Sequence, residues 1–176
     1  MKLLTLKFIL IFIYLISSSS SYAIQQPNLK NLVIHKDPIK LEKIKFKNVD
    51  NEIINLSVFK NSLIIINFWA TWCAPCIEEM PSLNRLQVNP KFENLHVIPI
   101  NVGKDNIEKS NNFYKKLKIN NLKLYFDNDT DLPNKFLLRG LPTTVFVNKK
   151  GEEFARVIGF VDFDDKEIIK WLQKYD

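Results

Sequence analysis

Cysteine is nearly absent from the 176 residues: there are two, and both fall in one Cys-x-x-Cys, Cys73 to Cys76. A framework of several disulfides is therefore excluded. A structural bridge gains most by closing a long loop, so a bridge across so short a one adds little stability, and a redox role is favoured. Histidine is equally scarce, with His35 and His96 alone. Neither has a motif tying it to the cysteines, so a zinc site would lack half its ligands. Four glycines rule out a collagen-like repeat. There is also no cluster of one charge. Lys and Arg number 25 against 19 Asp and Glu, with the two signs interleaved. No basic helix face or lysine-aromatic array tracks phosphates, which argues against a nucleic-acid partner.

What is present begins with an export signal. Lys2 and Lys7 precede the apolar run Phe8 to Ile16, and a serine tract ends in Ser21-Tyr22-Ala23. This order reads as a secretory signal peptide over residues 1–23, with cleavage between Ala23 and Ile24. An uncleaved, tilted anchor drawn from residues 3–16 is the rival reading: Phe8 to Ile16 alone is short against the roughly 20 residues that cross a bilayer, and Leu3 to Leu6 extend it. No cysteine lies near the end of the run, so no residue there can carry a lipid. Residues 24–40 are polar, hold Pro27 and Pro38 and keep no sustained period, which suggests a leader. Residues 41–176 are long enough for one domain with its own core. An exported chain works in an oxidising, periplasmic or other extracytoplasmic compartment.

Periodicity orders the domain. Lys43 to Phe46 and Ile53 to Leu56 flank the turn-forming Asn48-Val-Asp-Asn-Glu52, giving a short hairpin, after which Ser57 is placed to cap one helical turn. Ser62 to Phe68 is a β-branched apolar run typical of a strand buried on both faces. From Cys73, the residues Ile77, Met80, Leu83 and Leu86 recur at helical spacing to about Val88, with a kink expected at Pro81. A second central strand over Leu95 to Val102, a helix over Ile107 to Leu117 and a strand over Leu122 to Phe126 follow, and then a turn at 127–129. Leu132 to Leu137 suits a short helix. Thr143 to Val147 and Glu153 to Ile158 form a hairpin around Asn148 to Gly151, and Asp164 to Gln173 closes with a helix. The class is α/β, with a central mixed sheet flanked by helices.

The chemistry rests on where the cysteines fall. The thiolate is the nucleophile in disulfide exchange, and a helix start favours negative charge through its unpaired N–H groups and macrodipole. Cys73 is placed there as the attacking residue, and Cys76, one turn further in, as the more buried resolving residue. Pro75 suits the first turn because its missing N–H has no intrahelical acceptor. Ala74 adds neither charge nor hydrogen bond. A strongly oxidising pair needs extra thiolate stabilisation between its cysteines, so reduction of partners is the expected direction.

The chain resembles the thioredoxin superfamily, specifically its extracytoplasmic TlpA/ResA/DsbE-like branch. The resemblance runs from about Lys43 to Leu172. It is carried by Asn67-Phe-Trp-Ala-Thr-Trp-Cys-Ala-Pro-Cys76, Glu79-Met-Pro81, Ile100-Asn-Val-Gly103 and Gly140-Leu-Pro-Thr-Thr-Val-Phe146. It implies a thioredoxin fold with an N-terminal β-hairpin extension and a central insertion. It also implies a cis Pro142 facing the disulfide, and a Leu141 backbone offered to an extended substrate segment. Cytoplasmic thioredoxins hold a proton-moving Asp where this chain has Asn67, and in the resembling branch a Glu matching Glu79 takes over. The i, i+3 spacing puts Cys76 and Glu79 on one helix face. Glu79 is thus a candidate base with a raised pKa, while Glu78 and Glu79 as plain exposed acids of a first turn is the other reading. Trp72 and Trp69 are candidates for an apolar rim around Cys73, with core positions as the alternative.

The resemblance implies no cofactor. Its partners would be protein disulfide substrates in cytochrome c or copper-site assembly and a membrane electron donor of thiol type. A general disulfide oxidant or isomerase is the alternative. A copper-delivery module fits less well, because related chaperones pair Cys-x-x-x-Cys with a distant His.

Overall fold

A computed structural model describes residues 26–127 and 131–176. The expected signal peptide, its cleavage point and most of the turn at 127–129 lie outside the described residues. Among the described residues, no helix is long and apolar enough to cross a membrane.

Among the described residues, eight strands form one mixed sheet, and four α-helices and a 3-10 turn lie against it. The strands are β1 (Leu32–Lys40), β2 (Lys45–Lys47), β3 (Ile53–Asn55), β4 (Leu63–Trp69), β5 (Leu95–Asn101), β6 (Tyr125–Phe126), β7 (Thr143–Val147) and β8 (Glu152–Ile158). The helices are α1 (Ala74–Leu86), α2 (Ile107–Leu117), α3 (Leu132–Lys135) and α4 (Lys166–Leu172). Strand order is β1-β8-β7-β4-β5-β6-β2-β3. The centre β4-β5-β6 is parallel, while β7, β8 and β1 on one side and β2 and β3 on the other run antiparallel.

β4 shows why this core forms. Its alternate residues Leu63, Ile65 and Trp69 join one apolar cluster and Ile64, Ile66 and Phe68 join the other. The period of two therefore feeds both faces of a fully buried strand. Helices α1, α2 and α4 cover the first face through Met80, Leu83, Tyr114, Ile168 and Trp171. Leu56, Leu132 and Phe136 cover the second.

Three expectations need correction. The presumed leader contributes β1, so the sheet starts at Leu32 rather than after residue 40. β1 is an edge strand with most positions exposed, which erases the apolar alternation and tolerates Pro38. Its dock is polar: His35 Nε2 lies 2.7 Å from Glu153 Oε1, and Glu153 is buried and also bound by Arg156. The cap of the turn at Leu56–Phe59 is Asn55, whose side chain accepts the Ser57 N–H, rather than Ser57. β6 is shorter than expected, because Leu122 and Leu124 bury their side chains while only Tyr125 and Phe126 join a ladder. α1 continues past Pro81 to Leu86.

Candidate active site

The strand-to-helix junction after β4 carries the cysteines. Val102 N–H donates to Trp69 O at 3.0 Å, closing the β4–β5 ladder, and Cys73 N–H donates to Ala70 O at 3.3 Å, closing a turn over residues 70–73. Cys73 is the N-cap of α1, and its sulfur accepts the Cys76 N–H at 3.3 Å. Pro75 falls within the first turn, where a missing N–H leaves no carbonyl unpaired. Cys73 and Cys76 are joined as a disulfide, with Cα atoms 5.2 Å apart. Cys73 is 5 % exposed and Cys76 1 %, so both are buried in the oxidised protein.

The other candidates divide between buried and exposed positions. The Leu141–Pro142 bond is cis, and Leu141 contacts both apolar clusters, the one containing the cysteines included. Gly159 N–H donates to Pro142 O at 2.8 Å, fixing that loop to the end of β8. Trp72 is 64 % exposed, and Ala74 beside it is exposed too. Trp69 is fully buried against Phe113 and Tyr114, which makes it core rather than rim.

Glu79 is buried at 1 % exposure, on the inner face of α1 with Cys76, Met80 and Leu83. Its Oε1 accepts from Asn67 Nδ2 at 2.6 Å and its Oε2 from the Val161 N–H at 2.7 Å. Burial raises its pKa to about 8 despite those two donors, which favour the charged form. Glu78, its neighbour, is exposed. The reading of both as surface acids therefore fails for Glu79. Asn67 also donates to Thr144 Oγ1 at 3.0 Å, and its own Oδ1 is buried without a partner.

Another buried carboxylate meets the junction at Thr71. Asp105, in the loop between β5 and α2, accepts from the Thr71 N–H, the Thr71 hydroxyl, Asn101 Nδ2 and Lys109 Nζ at 2.6–3.0 Å. Burial would raise its pKa, but the Lys109, Asn101 and Thr71 donors outweigh it and hold the carboxyl at about 2. Thr71, Asn101, Asp105, Thr144 and Val161 are given no role by the sequence. Thr71, Asn101 and Thr144 lie inside motifs that carry the resemblance, which is the one signal that could have marked them.

A parallel-centred sheet closed by an antiparallel hairpin, a Cys-x-x-Cys at a helix start and a cis proline loop define a thioredoxin-superfamily domain with a dithiol centre. The chain belongs to the AhpC/TSA family, whose model matches residues 39–152. It is similar to the thiol-disulfide oxidoreductase ResA of Bacillus subtilis (strain 168), at 29% identity over 113 residues, 64% of this chain and 62% of the relative. ResA of Geobacillus kaustophilus (strain HTA426) is 31% identical over 114 residues, 64% of this chain and 63% of the relative. The match thus spans less than two thirds of these relatives. Among solved structures, StoA from Bacillus subtilis aligns at TM-score 0.60 and 20% identity, covering 82% of this chain and 98% of that one. A thioredoxin family thiol:disulfide interchange protein from Chlorobium tepidum TLS aligns at TM-score 0.63 and 21% identity, covering 79% and 99%. At these identities the structural matches speak for the fold alone.

Proposed function

We propose that this protein is an exported thiol-disulfide oxidoreductase that reduces disulfides of extracytoplasmic client proteins through Cys73 and Cys76. The observation that carries this reading is the Cys73 sulfur at the first turn of α1, accepting a backbone N–H where a thiolate is favoured. The names of the ResA relatives point the same way.

In the reduced protein, the Cys73 thiolate attacks one sulfur of a client disulfide. A Cys73–client bond forms and the client's other sulfur leaves as thiolate. Cys76 then loses its proton and attacks the Cys73 sulfur, expelling the second client thiolate and closing the Cys73–Cys76 disulfide. Two electrons pass to the client, and a membrane donor of thiol type restores the dithiol. Glu79 is suited to take the Cys76 proton: it shares the helix face, and its pKa of about 8 lies close to that of a thiol. Leu141 offers backbone to an extended client segment beside Pro142, while Trp72, Ala74 and Pro75 line its approach to Cys73. Clients of the cytochrome c or copper-site assembly kind, and a tether or signal within residues 1–23, complete the reading.

Equilibration against glutathione buffers tests the direction. A potential below the glutathione poise is expected, and one well above it would overturn the reductive assignment. Cys76→Ala should accumulate mixed disulfides with extracytoplasmic proteins, and an absence of any such adduct would count against the function itself.

A further inference from the structure

The Cys73 turn is gripped from outside its own helix. Asp105 lies 34 residues away in sequence, is 6 % exposed, and spends both carboxylate oxygens on this task. Oδ2 accepts the Thr71 N–H at 2.9 Å and Asn101 Nδ2 at 3.0 Å, while Oδ1 accepts the Thr71 hydroxyl at 2.8 Å and Lys109 Nζ at 2.6 Å. Thr71 therefore presents two donors to one carboxylate. It sits inside the turn that Cys73 N–H closes onto Ala70 O.

Asp105 is itself held on a rigid base. Asn101 ends β5, and its Oδ1 accepts the Gly103 N–H at 2.9 Å. Lys109 is in the first turn of α2, whose N-cap Asn106 accepts the Lys109 N–H. Between them, Gly103 brings its backbone so close to the Cys73 turn that an added Cβ would meet the Ala70 Cβ at 2.4 Å. Trp72 Nε1 points back at Gly103 O across 3.5 Å. The two loops touch along residues 70–72 and 101–105, and Asp105 is the charged member of that contact.

We propose that Asp105 is a positioning residue for Cys73: through Thr71 it holds the turn at the start of α1 in the geometry that presents the Cys73 sulfur to a partner disulfide. The inference rests on the dithiol reading above. Lys109 neutralises the charge and Asn101 adds one donor from its own strand, while the two Thr71 donors are the ones that tie the carboxylate to the Cys73 turn. A buried charge with four donors is also a stiff anchor, since each bond to an ionised acceptor is stronger than a neutral one. Small displacements of a reacting atom carry large kinetic penalties.

The test compares Asp105→Ala, Asp105→Asn, Thr71→Val and the double variant Asp105→Ala/Thr71→Val in the full chain. The readouts are the exchange rate with a small protein disulfide, the pH profile of Cys73 alkylation in the reduced form, and urea stability. Asp105→Ala should slow exchange by about tenfold and move the alkylation profile to higher pH, as the turn loosens from the helix start. Asp105→Asn, which keeps an acceptor for Thr71, should recover part of the rate even though it lacks the charge. The double variant should be no slower than Asp105→Ala, because the two residues act through one contact. Wild-type exchange and alkylation profiles in Asp105→Ala, whatever its stability, would overturn the proposal, and so would additive slowing in the double variant. If Asp105→Ala does not fold, an unchanged profile in both Asp105→Asn and Thr71→Val overturns it equally. A wild-type protein without exchange activity would instead overturn the dithiol function.

Discussion

Two carboxylates are buried near the Cys73 junction, one on α1 and one in the loop before α2, and their environments push them in opposite directions. Glu79 has two hydrogen-bond donors and no cation, so burial dominates and its pKa rises to about 8. Asp105 is also buried, but it has four donors, one of them the Lys109 ammonium, and its pKa falls to about 2. The difference is set by depth together with donor count and charge: Glu79 lies deeper, and Asp105 has more donors and a cation. It also separates their uses: a group that titrates near a thiol can exchange a proton, while one that stays ionised throughout the working range can only hold things still.

The largest effect comes from Glu79. Its folded pKa lies above its value in the unfolded chain, so between pH 4.5 and about 8 the native state keeps a proton that the unfolded state has lost. Stability of the oxidised protein should therefore fall as pH rises across that window, by at most on the order of 5 kcal/mol. Glu79→Gln should flatten the dependence. Urea titrations at pH 5 and pH 8 check this, and an equal slope in both proteins would erase the contrast. The opposite sign holds for Asp105, whose folded pKa is depressed from 3.8. Its contribution is fully present above about pH 4 and is lost as pH falls toward 2, an effect on the order of 2 kcal/mol. Asp105→Asn should make acid unfolding less steep, as followed by circular dichroism below pH 4. The smallest effect sharpens the comparison. Asn67→Ala removes the 2.6 Å donor that favours ionised Glu79, so the Glu79 midpoint should rise by about one pH unit. A carboxyl infrared band titrated against pH would read it, and a midpoint that falls would contradict the role given to Asn67.

The same contrast shows what is legible in sequence. Cys73, Cys76 and the helix after them follow from local spacing, and α2 occupies the expected Ile107–Leu117. The i, i+3 relation reveals that Glu79 shares a face with Cys76. Its burial, however, depends on Val161, 82 residues away. Asp105 is harder still, because nothing within its own loop distinguishes an acid that meets Thr71 from one that meets water. β1 is missed for the converse reason: an edge strand with little buried surface writes no period into its residues. Long-range polar contacts and sheet edges are where a reading of periodicity stops.

The register of β1 carries a consequence for how the chain enters the sheet. Leu32 pairs with Val157, Ile158 with Thr143 and Thr143 with Phe68, so the first residue of β1 lies at the sheet end where β4 delivers Cys73. Lys40, the last, lies beside Glu152 at the other pole. Ahead of Leu32 the described chain stays on the body, with Pro27 buried, Leu29 packed against the first apolar cluster and Asn31 Nδ2 donating to Ile158 O at 3.0 Å. The approach to β1 is thus fastened at the same end of the sheet as the disulfide, through the backbone of Ile158.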